Sequence, residues 1–319
     1  MKTAIAFFIF NRPDTTEKVF EAIRQAQPSK LLVVADGPRK DRQREKEKCA
    51  AARAVIKRVD WKCEVVTNYS DINLGCRNRI ASGLNWVFDL VEEAIILEDD
   101  CLPHSTFFRF CEELLEYYRY DERIMSISGL NVQFLRKKTE HSYYFSHCSH
   151  PWGWATWKRA WRHYDVDMKL WPQIKNSGLM KNILTAPSAI NYWENFFQGT
   201  YDKRIDTWDY QWIFTCWIQS GFTIVPNVNL ISNIGFGVEA THTINASETS
   251  QYANMRTETL TFPLIHPPFM IRNIGADEFT QKTLWNPNLL TRANAKLKNI
   301  LTNSFKKTSR RNEDFSLTK

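Results

Sequence analysis

A doubly wound, mostly parallel α/β sheet is the fold that this 319-residue sequence predicts. Three observations carry the prediction. Over about the first hundred residues, short apolar runs rich in Ile, Val and Phe alternate with stretches of helical period, the mark of strand–helix–strand units. Polar breaks close successive runs, at Asn11-Arg12-Pro13, Asp36-Gly37-Pro38 and Glu98-Asp99-Asp100. Ligands of such sheets bind beyond the carboxyl ends of the strands, which is where these breaks fall.

Taken in order, the run from Ala4 to Phe10 predicts a first buried strand. Asp14 with Glu17 three residues later reads as a capping box, and Val19, Phe20, Ile23 and Ala26 follow at helical spacing. Leu31 to Ala35 is a second strand, and the charged stretch from Lys40 to Arg58 is a surface helix with Ala50, Ala51, Ala54 and Val55 on one face. Cys63 to Thr67 is a third strand. Asn73-Leu74-Gly75 turns into a helix striped by Ile80, Leu84, Val87, Phe88 and Val91. The fourth strand, Ala94 to Leu97, delivers three consecutive carboxylates and is expected to stop by Pro103. A helix carrying Phe107, Phe110, Cys111, Leu114, Leu115 and Tyr118 and a strand at Met125 to Leu130 complete the alternation.

Beyond residue 130 the pattern loosens. Tyr143-Tyr144-Phe145 and His150 to Trp157 have no clean period. A helix begins near Asp206-Thr207-Trp208-Asp209, with Asp206 or Thr207 as its cap, and Phe222 to Pro226 is a strand. Residues 1–130 are expected to form the ligand-binding half and 131–290 the second half of one domain, with 291–319 a tail.

Composition narrows the function classes. The chain is 43% hydrophobic and 24% charged, ordinary for a globular protein. Its formal charge of +7 is matched by seven Lys and Arg between Arg292 and Arg311, a stretch without Asp or Glu. The body is therefore neutral, which argues against a nucleic-acid-binding face. Leu290, Leu297, Leu301 and Phe305 give that basic tail an apolar stripe, so it reads either as an anionic-membrane-binding helix or as a solvated tail. Seven scattered cysteines without a CxxC pair argue against a disulfide framework or a zinc site. No apolar run reaches the roughly 18–20 residues that span a bilayer. These features predict a cytoplasmic protein, peripheral on the inner face of the membrane if the tail docks.

Three adjacent carboxylates at a strand end repel one another, so they are either a solvated turn or the seat of a divalent cation or donor-rich ligand. With a first strand ending near Asn11-Arg12, Asp36 after the second, Asn73-Leu74-Gly75 and then the acidic, DXD-type motif, the order of these elements resembles the nucleotide-sugar-binding core of GT-A fold glycosyltransferases. The Glu-Asp-Asp form of that motif, the Gly153-Trp154 segment, Trp208-Asp209 and a late Gly235-Phe236-Gly237 followed by His242 are similar to the N-acetylglucosaminyltransferase I family and its bacterial polysaccharide-cluster relatives. The likeness runs over residues 1–130 and, in fragments, to about 245.

The resemblance implies a GT-A fold and a metal-dependent, inverting transfer from a nucleoside diphosphate sugar, UDP favoured, to a glycan or lipid-linked saccharide. It implies Asp100 as ligand to Mn2+ or Mg2+, Glu98 and Asp99 on the ribose or orienting the motif, Asp36 on base or ribose, and Phe10-Asn11-Arg12 along the base. It implies Asp209 as the base, Asp206 in reserve, and His242 as a metal or phosphate contact. Arg77 or Arg79, at a helix start, could meet the diphosphate. Trp152, Trp154 and Trp157 either stack on a sugar or fill a core. A sugar-phosphate nucleotidyltransferase is the competing chemistry, but Asn11-Arg12-Pro13-Asp14 lacks its glycines; a non-catalytic sugar-binding protein is the third reading.

Overall fold

The computed structural model describes residues 1–134, 136, 139–236 and 252–285. In chain order the elements are β1 (Ala4–Ile9), α1 (Pro13–Ala26), β2 (Lys30–Ala35), α2 (Glu45–Val55), β3 (Glu64–Tyr69), α3 (Gly75–Leu90), β4 (Glu93–Glu98), β5 (Cys101–Pro103) and α4 (Ser105–Tyr117). There follow β6 (Ile124–Ser128), β7 (Tyr143–Ser146), β8 (Trp154–Trp157), α5 (Lys158–Trp161), α6 (Trp171–Ser177), α7 (Pro187–Tyr201), α8 (Asp209–Ile218), β9 (Phe222–Pro226), β10 (Ile231–Asn233) and a short helix at Ile274–Thr280.

Eight strands form one mixed sheet in the order β3-β2-β1-β4-β8-β6-β9-β7. Strands β3, β2, β1 and β4 are parallel, β8 runs antiparallel between β4 and β6, β9 is parallel to β6, and β7 is antiparallel to β9. Six of the eight thus point one way. Alternate residues of β1, β2 and β4 bury against opposite layers: Ile5, Phe7, Leu31, Val33, Ile95 and Leu97 share a core with Phe20 of α1 and Phe107 of α4. Ala6, Phe8, Leu32, Val34 and Ile96 share another with Leu84 and Phe88 of α3 and with Trp154, Trp208 and Trp212. Burial on both faces is why these strands read as unbroken apolar runs. Parallel register then brings Phe10, Asp36 and Asp99 to one rim.

Several local expectations are corrected. α1 starts at Pro13 rather than by a capping box: Arg12 is its N-cap without a side-chain cap bond, and proline's fixed φ suits the first helical position. α8 starts at Asp209 behind Trp208, so neither Asp206 nor Thr207 caps it. The fourth strand ends at the acids as expected, with Glu98 its last residue and Asp99-Asp100 the turn beyond it, but Pro103 does not close it: Cys101–Pro103 forms a strand of its own against β10. Tyr143–Ser146 and Trp154–Trp157 are fully buried strands. The described cysteines are free thiols, all seven of them, and no helix among the described residues is long and apolar enough to cross a membrane. The basic tail lies outside the described residues.

A third core cluster joins α6, α7 and α8 through Trp171, Trp193, Phe197, Phe214 and Trp217. His150 stacks beside Trp285 with ring centroids 5.7 Å apart and is 3% exposed. Burial pulls its pKa down to about 4. Folding therefore favours neutral His150: its contribution is complete above the ordinary imidazole value and is lost as pH falls from about 6.5 towards 4, by about 3 kcal/mol. Urea-denaturation midpoints at pH 7 and pH 4.5 should accordingly differ less in His150→Gln than in the parent; an unchanged difference would remove His150 as the cause.

Candidate active site

The rim site is built where β1 and β4 leave the sheet side by side, with Phe8 opposite Glu98 in the ladder. One residue beyond β4, Asp99 accepts from the Phe10 amide at 3.1 Å. The next residue, Asp100, turns the chain into β5. Arg12 reaches back across both acids: Nη1 donates to Asp100 Oδ2 at 2.9 Å and Nη2 donates to Asp99 Oδ1. Burial works against the Arg12 charge, but Asp99 and Asp100 outweigh it and raise its pKa above the ordinary value. The same burial pushes Asp99 up to about 6 despite Arg12, and it pushes Glu98, next to Asp100 and Asp99, up to about 8. Crowding the three acids around one guanidinium thus raises the proton affinity of the two buried ones.

Asp209 opens α8. Its charge adds to the burial that raises Glu98, and with Glu98, Asp206 and Asp100 it adds to the burial that holds the Cys76 thiol well above the usual thiol range. Asp209 Oδ1 accepts from the Thr207 hydroxyl and from the Tyr210 amide at 3.0 Å, which fixes the carboxylate's orientation. Asp206 is exposed and caps α3 from a distance, accepting the Arg77 amide at 3.1 Å. A glycine, Gly235, lies over the acids. An added Cβ there would stand 2.2 Å from Asp100 Oδ2 and 2.7 Å from Arg12 Nη1. The Ile234 amide, which donates to the Asp100 carbonyl at 2.8 Å, holds this segment down.

Other predicted residues have different company. Asp36 is buried, and its carboxylate accepts from the Gly37 and Leu74 amides at 2.9 Å, from Asn73 Nδ2 at 3.0 Å and from the Gly75 amide at 3.2 Å. Burial raises its pKa while those amides oppose the rise. Both oxygens thus anchor the loop that starts α3. Asn11 Nδ2 donates to Glu45 Oε1 at 2.8 Å, and Glu45 also accepts the Arg39 amide at 2.6 Å. Arg39 stands 5.6 Å from the Phe10 ring centre, so Phe10 and Asn11 form the rim's outer edge with the 37–45 loop.

Arg77 and Arg79 do not point to the rim as expected. Arg77 is buried, with its guanidinium on the carbonyls of Thr200 and Val166 and, at 3.3 Å, on Asp167. Arg79 is buried on the Asn68 carbonyl and on Asn68 Oδ1 at 2.9 Å. Both side chains run from the start of α3 into the fold rather than outward from its N-terminus. Trp154 is 1% exposed and stacked on Trp208 with centroids 5.5 Å apart, which makes it core rather than a sugar platform. Trp157 is likewise buried, donating Nε1 to the Leu115 carbonyl at 3.1 Å. Trp152 packs on Phe236 beside Gly235. His242 lies outside the described residues.

What the residues could hold follows from their chemistry. Among the described residues no three His, Cys, Asp or Glu side chains converge as a metal cage. The surplus of carboxylates at Glu98, Asp99 and Asp100 fits a hard cation that takes one or two protein oxygens and completes its shell from phosphate oxygens and water. Arg12 as partner of the acids is the feature that sequence reasoning placed elsewhere, on a nucleobase. The signal for it was available: two parallel neighbouring strands, one ending in a cation and the other in three acids.

The architecture is a mixed, mostly parallel α/β sheet with helices on both faces and its acid cluster at the carboxyl rim. No family profile matches the chain, and no curated protein matches it. Among solved structures it is similar to the mannosyltransferase PcManGT from Pyrobaculum calidifontis in complex with GDP-Man and Mn2+, with 14% identity and a TM-score of 0.34 over 49% of this chain and 45% of that one. It is similar to S. aureus TarS, with 9% identity and a TM-score of 0.34 over 52% and 50%. An active-site mutant of the galactosyltransferase LgtC gives 11% identity and a TM-score of 0.39 over 88% and 94%. The matches to the first two span about half of those chains.

Proposed function

We propose that the chain is a metal-dependent, inverting glycosyltransferase of the hexosyl type, moving a sugar from a nucleoside diphosphate sugar, UDP-linked first, to a glycan or lipid-linked saccharide. The observation that carries this reading is the acid pair Asp99-Asp100 at the carboxyl rim of the mostly parallel sheet, held by the Phe10 amide and Arg12, with the Asp209 charge at the start of α8 near enough to add to the raised pKa of Glu98.

Asp100 would hold Mn2+ or Mg2+, with Asp99 and Glu98 behind it. The cation's contribution when bound is to neutralise the diphosphate as it departs. The chain's own residues do the rest. Phe10 and Asn11 edge the nucleoside, and Asp36 keeps the Asn73-Leu74-Gly75 turn in place beneath it. Asp209 takes the proton of the acceptor hydroxyl as that oxygen bonds to the anomeric carbon and the bond from that carbon to the diphosphate oxygen breaks. Its orientation by Thr207 and the Tyr210 amide suits a group that must face one hydroxyl. Asp206, bound to the Arg77 amide, serves α3 in this scheme rather than the proton transfer.

A panel of sugar nucleotides, tested for thermal stabilisation and for hydrolysis with and without Mn2+, checks the reading. It predicts that at least one nucleoside diphosphate sugar raises the melting temperature only when Mn2+ is present; no response to any donor would overturn it.

A further inference from the structure

The function proposed above assigns Asp100 to a cation, yet in the structure Asp100 Oδ2 is already taken by Arg12 Nη1 at 2.9 Å. The same guanidinium donates to Asp99 through Nη2, so one fork spans both acids. Space around that oxygen is closed from above by the backbone at Gly235, where even a methyl group would stand 2.2 Å from Oδ2. A divalent ion at Asp100 Oδ2 and a guanidinium on the same atom therefore compete, by volume and by like-charge repulsion, and the other oxygen, Oδ1, already accepts from the Cys101 thiol at 3.5 Å. The Arg12 backbone is fixed: its carbonyl accepts from the Thr16 amide at 2.9 Å and the Thr16 hydroxyl at 2.7 Å, as N-cap of α1. The side chain is 19% exposed, against 3% for Asp99 and 15% for Asp100, so of the three it has the most contact with solvent.

We propose that Arg12 is the resident counter-charge of the acid pair, that a divalent cation displaces it from Asp100, and that the freed guanidinium then grips the diphosphate arriving with that cation. Planar forks bind phosphate oxygens in two-point fashion as well as carboxylates. Cation and nucleotide consequently bind with positive coupling. The cation uncovers the phosphate ligand, and the phosphate gives Arg12 a new partner. This rests on the rim being a donor site for a nucleoside diphosphate.

The test uses Arg12→Met, with Mn2+ affinity read from the free-ion EPR signal without nucleotide, and UDP affinity read by calorimetry at saturating Mn2+. Removing the competitor should tighten Mn2+ by about tenfold, and losing the fork should weaken UDP by about tenfold or more. Unchanged or weaker Mn2+ binding overturns the displacement, and unchanged UDP affinity overturns the transfer of Arg12 to the diphosphate. Should Arg12→Met fail to fold, Arg12→Lys serves: a single ammonium cannot fork, so the same two shifts are expected with smaller size, and the absence of both overturns the proposal. A parent protein that binds neither Mn2+ nor any nucleoside diphosphate removes the donor-site reading itself. Parent binding with an unaltered variant removes only the role of Arg12.

Discussion

Asp209→Asn is expected to lower sugar transfer by about 100- to 10,000-fold, the range that a positioned general base contributes, while leaving donor affinity within about twofold. The amide keeps the size and much of the hydrogen bonding of the carboxylate, including an oxygen that can accept from Thr207 and the Tyr210 amide. What it loses is the ability to take a proton. Because Asp209 also adds repulsion at Glu98, the substitution should if anything ease binding of an anionic donor. Single-turnover transfer and donor titration on the same protein separate the two effects. Normal transfer by Asp209→Asn would mean that another group removes the proton.

Trp154→Ala should destabilise the fold by about 3–5 kcal/mol, as truncation of a large buried aromatic does. Trp154 is held between β4 and β6, pairing with Ile96 and Ser128, and it packs on Trp161, Trp208 and Trp212. Trp208 precedes Asp209, so the cavity would also loosen the start of α8. Trp154→Phe fills much of the space and should cost about 1–2 kcal/mol less than Trp154→Ala. Chemical denaturation measures both. A Trp154→Ala protein of parental stability with weakened sugar binding would instead support the stacking role that the sequence left open.

The first four strands and the rim acids were legible because a sheet buried on both faces writes itself as apolar runs, and a rim writes itself as the polar residues that end them. β7 and β8 were not legible. Tyr143–Ser146 and Trp154–Trp157 are four residues long and buried throughout, so neither alternation nor length marks them. Arg77 and Arg79 were misplaced because helical spacing fixes a direction around an axis, not the depth to which a long side chain reaches. Gly235 was visible as part of a glycine-containing loop. Its contact with Asp100 depends on the pairing of β5 with β10, which joins residues more than a hundred positions apart. Arg12 and the acids are separated almost as widely in sequence, and only the adjacency of β1 and β4 makes them neighbours.

That adjacency sets Asp100 beside Arg12, where a donor-bound cation would have to sit. Calorimetric titration of UDP into the parent protein and into Asp100→Ala, each with Mn2+ and with EDTA, tests it most directly. The parent should bind UDP with Mn2+ and not with EDTA, and Asp100→Ala should lose that Mn2+-dependent binding. Equal UDP binding by Asp100→Ala and the parent in Mn2+, or parental binding undiminished by EDTA, would contradict it.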